Sequence, residues 1–216
     1  VISAPVLDDL ASIAMSFVAL KKIVEDKVKA NVYVVLHRAE EVGFLGAYAV
    51  GSKKILPKNC AVISVETSSY KKGKKKIAKV GGGIIIRTGD ARTPKYNHSV
   101  LNILREAGKK VKHQELLMDA GSCEASMYHA LGYPVAGVCV PLIAWHNNGA
   151  LENKNHVISE GVHVDDLKNG TSLLIETAKV LAERKIDTSV IVSKDQKLLK
   201  KNVGKLFRDC VKKKLI

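Results

Sequence analysis

Long apolar runs are missing from this sequence: no stretch of about 18 uninterrupted apolar residues occurs, which argues against a membrane-spanning helix. Aromatic side chains are scarce at 5%, and nucleic-acid readers usually set exposed aromatics among their basic residues. No two cysteines stand in a CxxC pair. Cys60, Cys123, Cys139 and Cys210 are widely spaced, so they read as buried or free thiols of a reducing compartment, which favours the cytoplasm. The opening segment VISAPVLDDL has neither a charged n-region nor a starting methionine. It is not a signal peptide and reads as a chain entered partway.

What is present is ordinary globular composition. Hydrophobic residues make up 46% and charged residues 26% of 216, enough for one domain with a substantial core and an appendage. The net charge is +14, a value that attracts polyanions. It is concentrated in Lys71–Lys76 and in the tail from Lys194 to Lys214. With few aromatics to accompany them, these runs read as solvated surface rather than a nucleic-acid site.

Periodicity orders the chain. Ile13, Phe17, Leu20 and Val24 recur at helical spacing, predicting a helix over roughly 9–29. Asn31–His37 (NVYVVLH) is a β-branched run of strand length, and residues 45–55 read as helix. Strands are predicted at Cys60–Val65, Gly83–Arg87, Gln114–Met118 and Pro134–Leu142. Helices are predicted at Val100–Ala107, Cys123–Leu131 and Asp166–Glu183. Strands alternating with helices imply an α/β fold: an open, largely parallel sheet sandwiched by helices. Beyond a linker or short strand at Ile186–Ser193, Leu199, Val203, Leu206, Cys210 and Val211 mark an amphipathic basic helix. It is expected to dock on its own domain or a partner subunit; an anionic membrane surface is the lesser alternative. The expected division is residues 1–185 as the main domain and 186–216 as a basic C-terminal extension.

In open α/β sheets ligands bind beyond the carboxyl ends of the strands. Glu40 and Glu41 follow the strand ending at His37, Glu66 follows Val65, His146 follows the strand ending near Leu142, and Asp8 and Asp9 open the first helix. Carboxylates with an imidazole suit zinc or cobalt, and an aspartate can bridge two such ions. In extended backbone, neighbours point in opposite directions, so one glutamate of the pair can hold metal while the other meets its water. Taken singly each has a plainer reading: a solvated turn for the glutamates, a helix cap for the aspartates, a surface packing pair for His146 with Trp145.

The combination is more specific. VLDDL, AEEVGFLGA, VISVETS, DAGSCEAS, GYPVAGVCVPLIAWHNN and DDLKNGTSLL, spanning roughly residues 4–184, resemble in type and order the motifs of the TET-type and glutamyl aminopeptidases. That family belongs to the dinuclear zinc exopeptidases. The resemblance implies a zinc-exopeptidase-like fold and a metallo-aminopeptidase that hydrolyses N-terminal residues of peptides. It implies two divalent ions, zinc or cobalt, with Asp8 bridging, Glu41 and His146 on one ion and Glu66 on the other. Asp9 would stand behind Asp8. Glu40 would be the general base acting on a metal-bound water, and Gly121–Glu124 would line the substrate pocket. A homo-oligomer is expected, with no membrane or nucleic-acid partner.

The family pattern is departed from in one place. Its further metal histidine, in a His-x-Asp motif, precedes the bridging aspartate, and no histidine occurs before Asp8 here. His163-Val-Asp165 has the spacing but opens a helix, and reads as a cap. The rival readings are a related metal-dependent deacylase and an inactive relative serving as a binding or assembly subunit.

Overall fold

The computed structural model describes residues 1–69 and 78–213; the Lys71–Lys76 run lies outside them. Six strands form one mixed sheet: β1 (Ile2–Ala4), β2 (Val62–Ser69), β3 (Ile84–Asp90), β4 (His113–Met118), β5 (Val135–Ile143) and β6 (Glu160–Val162). The two longest ladders, β2 with β5 and β3 with β4, are parallel, as the alternating pattern predicts. The β3–β5, β5–β6 and β1–β6 pairs are antiparallel.

β5 is the middle of the sheet. Its residues are buried up to Leu142, as expected for a strand covered on both faces. β2 runs along one edge of β5, whereas β3 and β6 share the other, opposite Gly137–Cys139 and Leu142–Ile143 respectively. On one face α1 (Leu7–Glu25), α3 (His98–Gly108) and α5 (Val164–Glu183) pack together. On the other lie α2 (Leu45–Ser52), α4 (Glu124–Ala130) and α6 (Lys194–Lys212). The main core joins Met15, Ile84, Ile86, Val138, Leu142 and Leu173.

α6 begins with a capping box, in which Ser193 and Gln196 satisfy each other's backbone N–H groups. It packs against α2 and α4, and Leu199 and Val203 belong to the main core. The apolar stripe turns slightly from the one expected. Phe207 and Cys210 pack on the core, while Leu206 and Val211 stay exposed, because 199, 203, 207 and 210 follow the 3.6-residue period more closely. Gly204 lets Tyr48 approach: a Cβ there would lie 2.5 Å from the tyrosine hydroxyl.

Asn31–His37 corrects the sequence reading, since this segment is not a strand. Its composition favours β structure, but a strand exists only through a hydrogen-bonded neighbour. Among the described residues no backbone hydrogen bond joins it to another segment, and a cavity separates it from β2.

Candidate metal centre

The carboxyl ends of β2 and β5 and the entry to α1 meet at one end of this cavity, whose volume is about 1090 Å³. Asp8 and Asp9 sit in the first turn of α1 with non-helical backbone, joined by a cis peptide bond. Both residues line the cavity. After β5 the chain turns sharply: Ala144, His146 and Asn147 all have φ between 52° and 56°, and the His146 ring stacks on Trp145 at 3.8 Å between centroids.

Glu160, on β6 and only 2% exposed, fastens these two turns together. Its Oε2 accepts the Asp8 N–H and its Oε1 accepts the His146 N–H, both at 2.9 Å. Sequence reasoning missed it. The available signal was an acidic residue heading a short apolar strand, which needs a buried purpose.

Three donor groups result, each with one atom per residue and all atoms within 4.8 Å of one another: Asp8, Glu41 and His146; Asp8, Asp9 and Glu66; and Glu40, Glu66 and Glu124. His146 Nε2 lies 3.3 Å from Asp8 Oδ2 and 3.5 Å from Glu41 Oε1. Asp8 is common to the first two groups. Asp9, expected behind Asp8, instead stands level with Asp8 and Glu66, its buried Oδ1 without a partner. Of the pocket loop, Gly121, Ser122 and Glu124 face the cavity, while Cys123 turns into the core toward Asp90.

The electrostatics follow from crowding like charges in a half-dry site. Burial, with repulsion from Glu124, Glu41 and Asp8, pushes Glu40 up to about 8. Burial, with Asp8, Glu124 and Glu40 beside it, pushes Asp9 up to about 8. Burial raises Asp8, and burial with Glu124 raises Glu66 well above the usual carboxylate range. Glu124 goes the other way, to about 2: burial opposes its charge, but hydrogen bonds from His37 and Glu66 outweigh it. His37 Nδ1 is 3.3 Å from Glu124 Oε1, and its Nε2 is 2.9 Å from the Tyr128 hydroxyl. Ser64 Oγ donates to both Glu66 and Glu124, at 3.2 and 3.3 Å.

Arg87 is the second residue that sequence reasoning missed. It lies on β3 opposite Gly137, which in turn pairs with Ser64, so its side chain crosses the sheet over a glycine toward the carboxylates. A Cβ on Gly137 would sit 3.3 Å from Arg87 Cδ. Arg87 is 4% exposed with Nε unpartnered, and its charge draws Glu40 downward against the repulsion.

The donor set fits divalent metal. Oxygen and imidazole donors converge from five separate segments, with a carboxylate shared between two groups, and with mutual repulsion that a bound cation would relieve. His163 is not part of it; it caps α5 by accepting the Asp165 N–H at 3.2 Å. All four cysteines are free thiols. Among the described residues no helix is long and apolar enough to cross a membrane.

The fold has solved counterparts. A TET aminopeptidase from a marine sediment archaeon, Thaumarchaeota, is similar in fold at 18% identity, with a TM-score of 0.68 over 83% of this chain and 49% of that one. The Pyrococcus horikoshii TET1 peptidase, which can assemble into a tetrahedron or a large octahedral shell, is similar at 20% identity, TM-score 0.66, over 82% and 49%. An M18-family aminopeptidase from Thermotoga maritima is similar at 16% identity, TM-score 0.61, over 83% and 46%. The chain therefore spans about half the length of these solved relatives. No match was found among curated proteins. The family model for M42 glutamyl aminopeptidases matches residues 1–159, the stretch that carries Asp8, Glu40, Glu41, Glu66 and His146, and the chain belongs to that family.

Proposed function

We propose that residues 1–185 form the catalytic portion of a metal-dependent aminopeptidase, buttressed by the basic helix α6. The observation that carries this reading is the sharing of Asp8 between two donor groups. Asp8 would bridge two divalent ions, zinc or cobalt, with Glu41 and His146 completing one site and Glu66, supported by Asp9, contributing to the other. Such ions supply Lewis-acid polarisation of the scissile carbonyl and lower the pKa of the attacking water.

The chain's own residues do the rest. Glu40 lies beside the donor set among Glu41, Glu124 and Asp8, and once bound cations offset that crowding its carboxylate is the group placed to act as general base. It takes the proton of the attacking water and returns it to the departing amine. Glu160 fixes the Asp8 and His146 backbones, and Arg87 offsets part of the negative charge. Gly121 and Ser122 border the space left for a peptide's first residue. The tetrahedral, octahedral and dodecameric assemblies named for the archaeal TET1 relatives support a homo-oligomer, and the free thiols support a reducing, cytoplasmic setting.

The test is direct. Zinc- or cobalt-loaded protein is expected to hydrolyse aminoacyl-anilides, and Asp8→Asn is expected to abolish metal uptake at both sites in a calorimetric titration. Metal uptake unchanged in Asp8→Asn would refute the shared-carboxylate reading.

A further inference from the structure

Several exposed cations of the main domain have an acid beside them. Lys22 pairs with Asp26 at 2.7 Å, Lys109 with Glu106 at 2.8 Å and Lys110 with Glu176 at 2.7 Å. The outer face of α6 is built differently. At about 100° per residue, Lys194, Lys197, Lys201, Lys205, Arg208 and Lys212 fall on one stripe about 80° wide, and all six are exposed. Among the described residues none of them makes an ion pair. The two acids of the helix, Asp195 and Asp209, lie to one side of the stripe. Each cation stands three or four residues from the next, the spacing at which like charges weaken a helix.

Composition alone reads these lysines as solvated surface, but their arrangement says more. The 19 residues of α6 make a rod about 28 Å long with a cation every 4.5–6 Å or so along its axis. Burial, with Lys200 and Lys54 alongside, pushes Lys58 down, so the end of α2 adds further positive charge beside the rod. Such a linear array complements a linear polyanion. The inner face of α6 cannot enter a bilayer, because Leu199, Val203 and Phe207 pack on the core. Leu198 and Val211, the exposed apolar side chains nearest the stripe, stand on opposite flanks of it and make no inserting face. Stable attachment to a bilayer takes two signals, whereas charge alone supplies essentially all of non-specific binding to nucleic acid. The one aromatic of α6, Phe207, packs inward, so there is no platform for stacking the bases of a single strand; a duplex backbone needs none. We propose that the outer face of α6 docks on the phosphate backbone of double-stranded nucleic acid, without regard to base sequence. The helix lies outside the residues 1–159 that the family model matches, and the inference does not depend on the catalytic reading.

The experiment is fluorescence anisotropy of residues 1–216 with two labelled DNA duplexes of about 20 base pairs and unrelated sequence, over about 50–200 mM salt. Both duplexes are expected to bind equally, with log K falling against log salt at a slope of about −3.6 to −5.4, the value for four to six phosphate contacts at about −0.9 each. The triple variant Lys201→Gln, Lys205→Gln, Arg208→Gln should make that slope shallower by about 2.7 and weaken binding about tenfold or more at 100 mM salt. A control with the same net charge, Lys27→Gln, Lys29→Gln, Lys154→Gln, changes exposed lysines outside α6 and should leave the slope in place. The stripe variant should melt no lower than the native chain, since it relieves repulsion along the helix. Absence of duplex binding at 50 mM salt overturns the proposal, as does an equal loss in the control, which would reduce the effect to net charge. Tighter binding to phosphatidylserine vesicles than to duplex, lost in the stripe variant, would assign the face to a bilayer and overturn it as well. A clear fall in melting temperature of the stripe variant would show that the cations serve the fold, with the same consequence.

Discussion

Replacing Glu160 by glutamine probes the joint between the two turns that aim Asp8 and His146. The native carboxylate accepts two N–H groups at 2.9 Å, one per oxygen, and hydrogen bonds to a charged group contribute about 1.5–3 kcal/mol each. Glutamine keeps one acceptor and sets its NH2 against the other N–H, so one bond is lost, a buried donor is orphaned, and the surviving bond becomes neutral. The expected loss is roughly 2–4 kcal/mol of stability, or about 5–15 °C in melting temperature for a chain of this size. The charge change alone points the other way for Asp8, whose carboxyl Glu160 helps to hold above its usual range. We expect zinc or cobalt affinity to drop about 10–100-fold, the size seen when groups that orient metal ligands are removed. Calorimetric metal titration with a thermal melt on the same samples measures both. Wild-type metal affinity in Glu160→Gln would refute the argument that this glutamate positions the donor set.

Four further outcomes are expected. Glu40→Gln should retain metal and lose about 10²–10⁴-fold in aminoacyl-anilide turnover; near wild-type turnover would remove Glu40 from the base role. Metal titration of the native chain should show one firm and one weak site, because Glu41 and His146 add to Asp8 on one side while the other has carboxylates alone; two equally tight ions would contradict this. The metal-free chain should lose stability between about pH 4 and 8: the folded pKa values of Asp9 and Glu40, about 8, exceed their ordinary values of 3.8 and 4.5, so the neutral forms favour folding until they ionise. His129, lowered by burial, opposes this singly, and saturating zinc should reverse the trend with proton release visible in buffers of different ionisation enthalpy. Gly204→Val should push Tyr48 from α6 and cost about 1–3 kcal/mol by overpacking, while metal affinity measured by titration stays at the wild-type value.

Helix and strand order was legible because each predicted segment had its partners within the chain. β5, apolar and buried on both faces, and α5, with its capped start, needed nothing beyond their own pattern and their neighbours. β1 and β6 were not legible: three residues each carry no periodicity, and they exist through pairing with one another and with β5. Asn31–His37 failed for the converse reason. Its pattern is a good strand pattern, but periodicity reports what a segment would do beside a partner and cannot report that the partner's place is a cavity.

The site divides along the same physical line. Asp8, Glu40, Glu41, Glu66 and His146 were visible because charged residues at the carboxyl ends of apolar runs are hard to explain by packing. Glu160 and Arg87 were hidden because each acts through a long-range relation that spacing does not encode. Glu160 reaches backbone N–H groups 152 and 14 positions away. Arg87 depends on Gly137 being side-chain-free opposite it, on a strand 50 residues later. Glu124 shows the intermediate case, named only as pocket lining, yet drawn into the carboxylate cluster by His37, whose ring it holds at 3.3 Å. The ionic balance of the centre is therefore set by residues from β2, β3, α4 and the 31–41 segment together. Removing the buried cation Arg87 should raise the repulsion among the carboxylates even though no metal donor is touched.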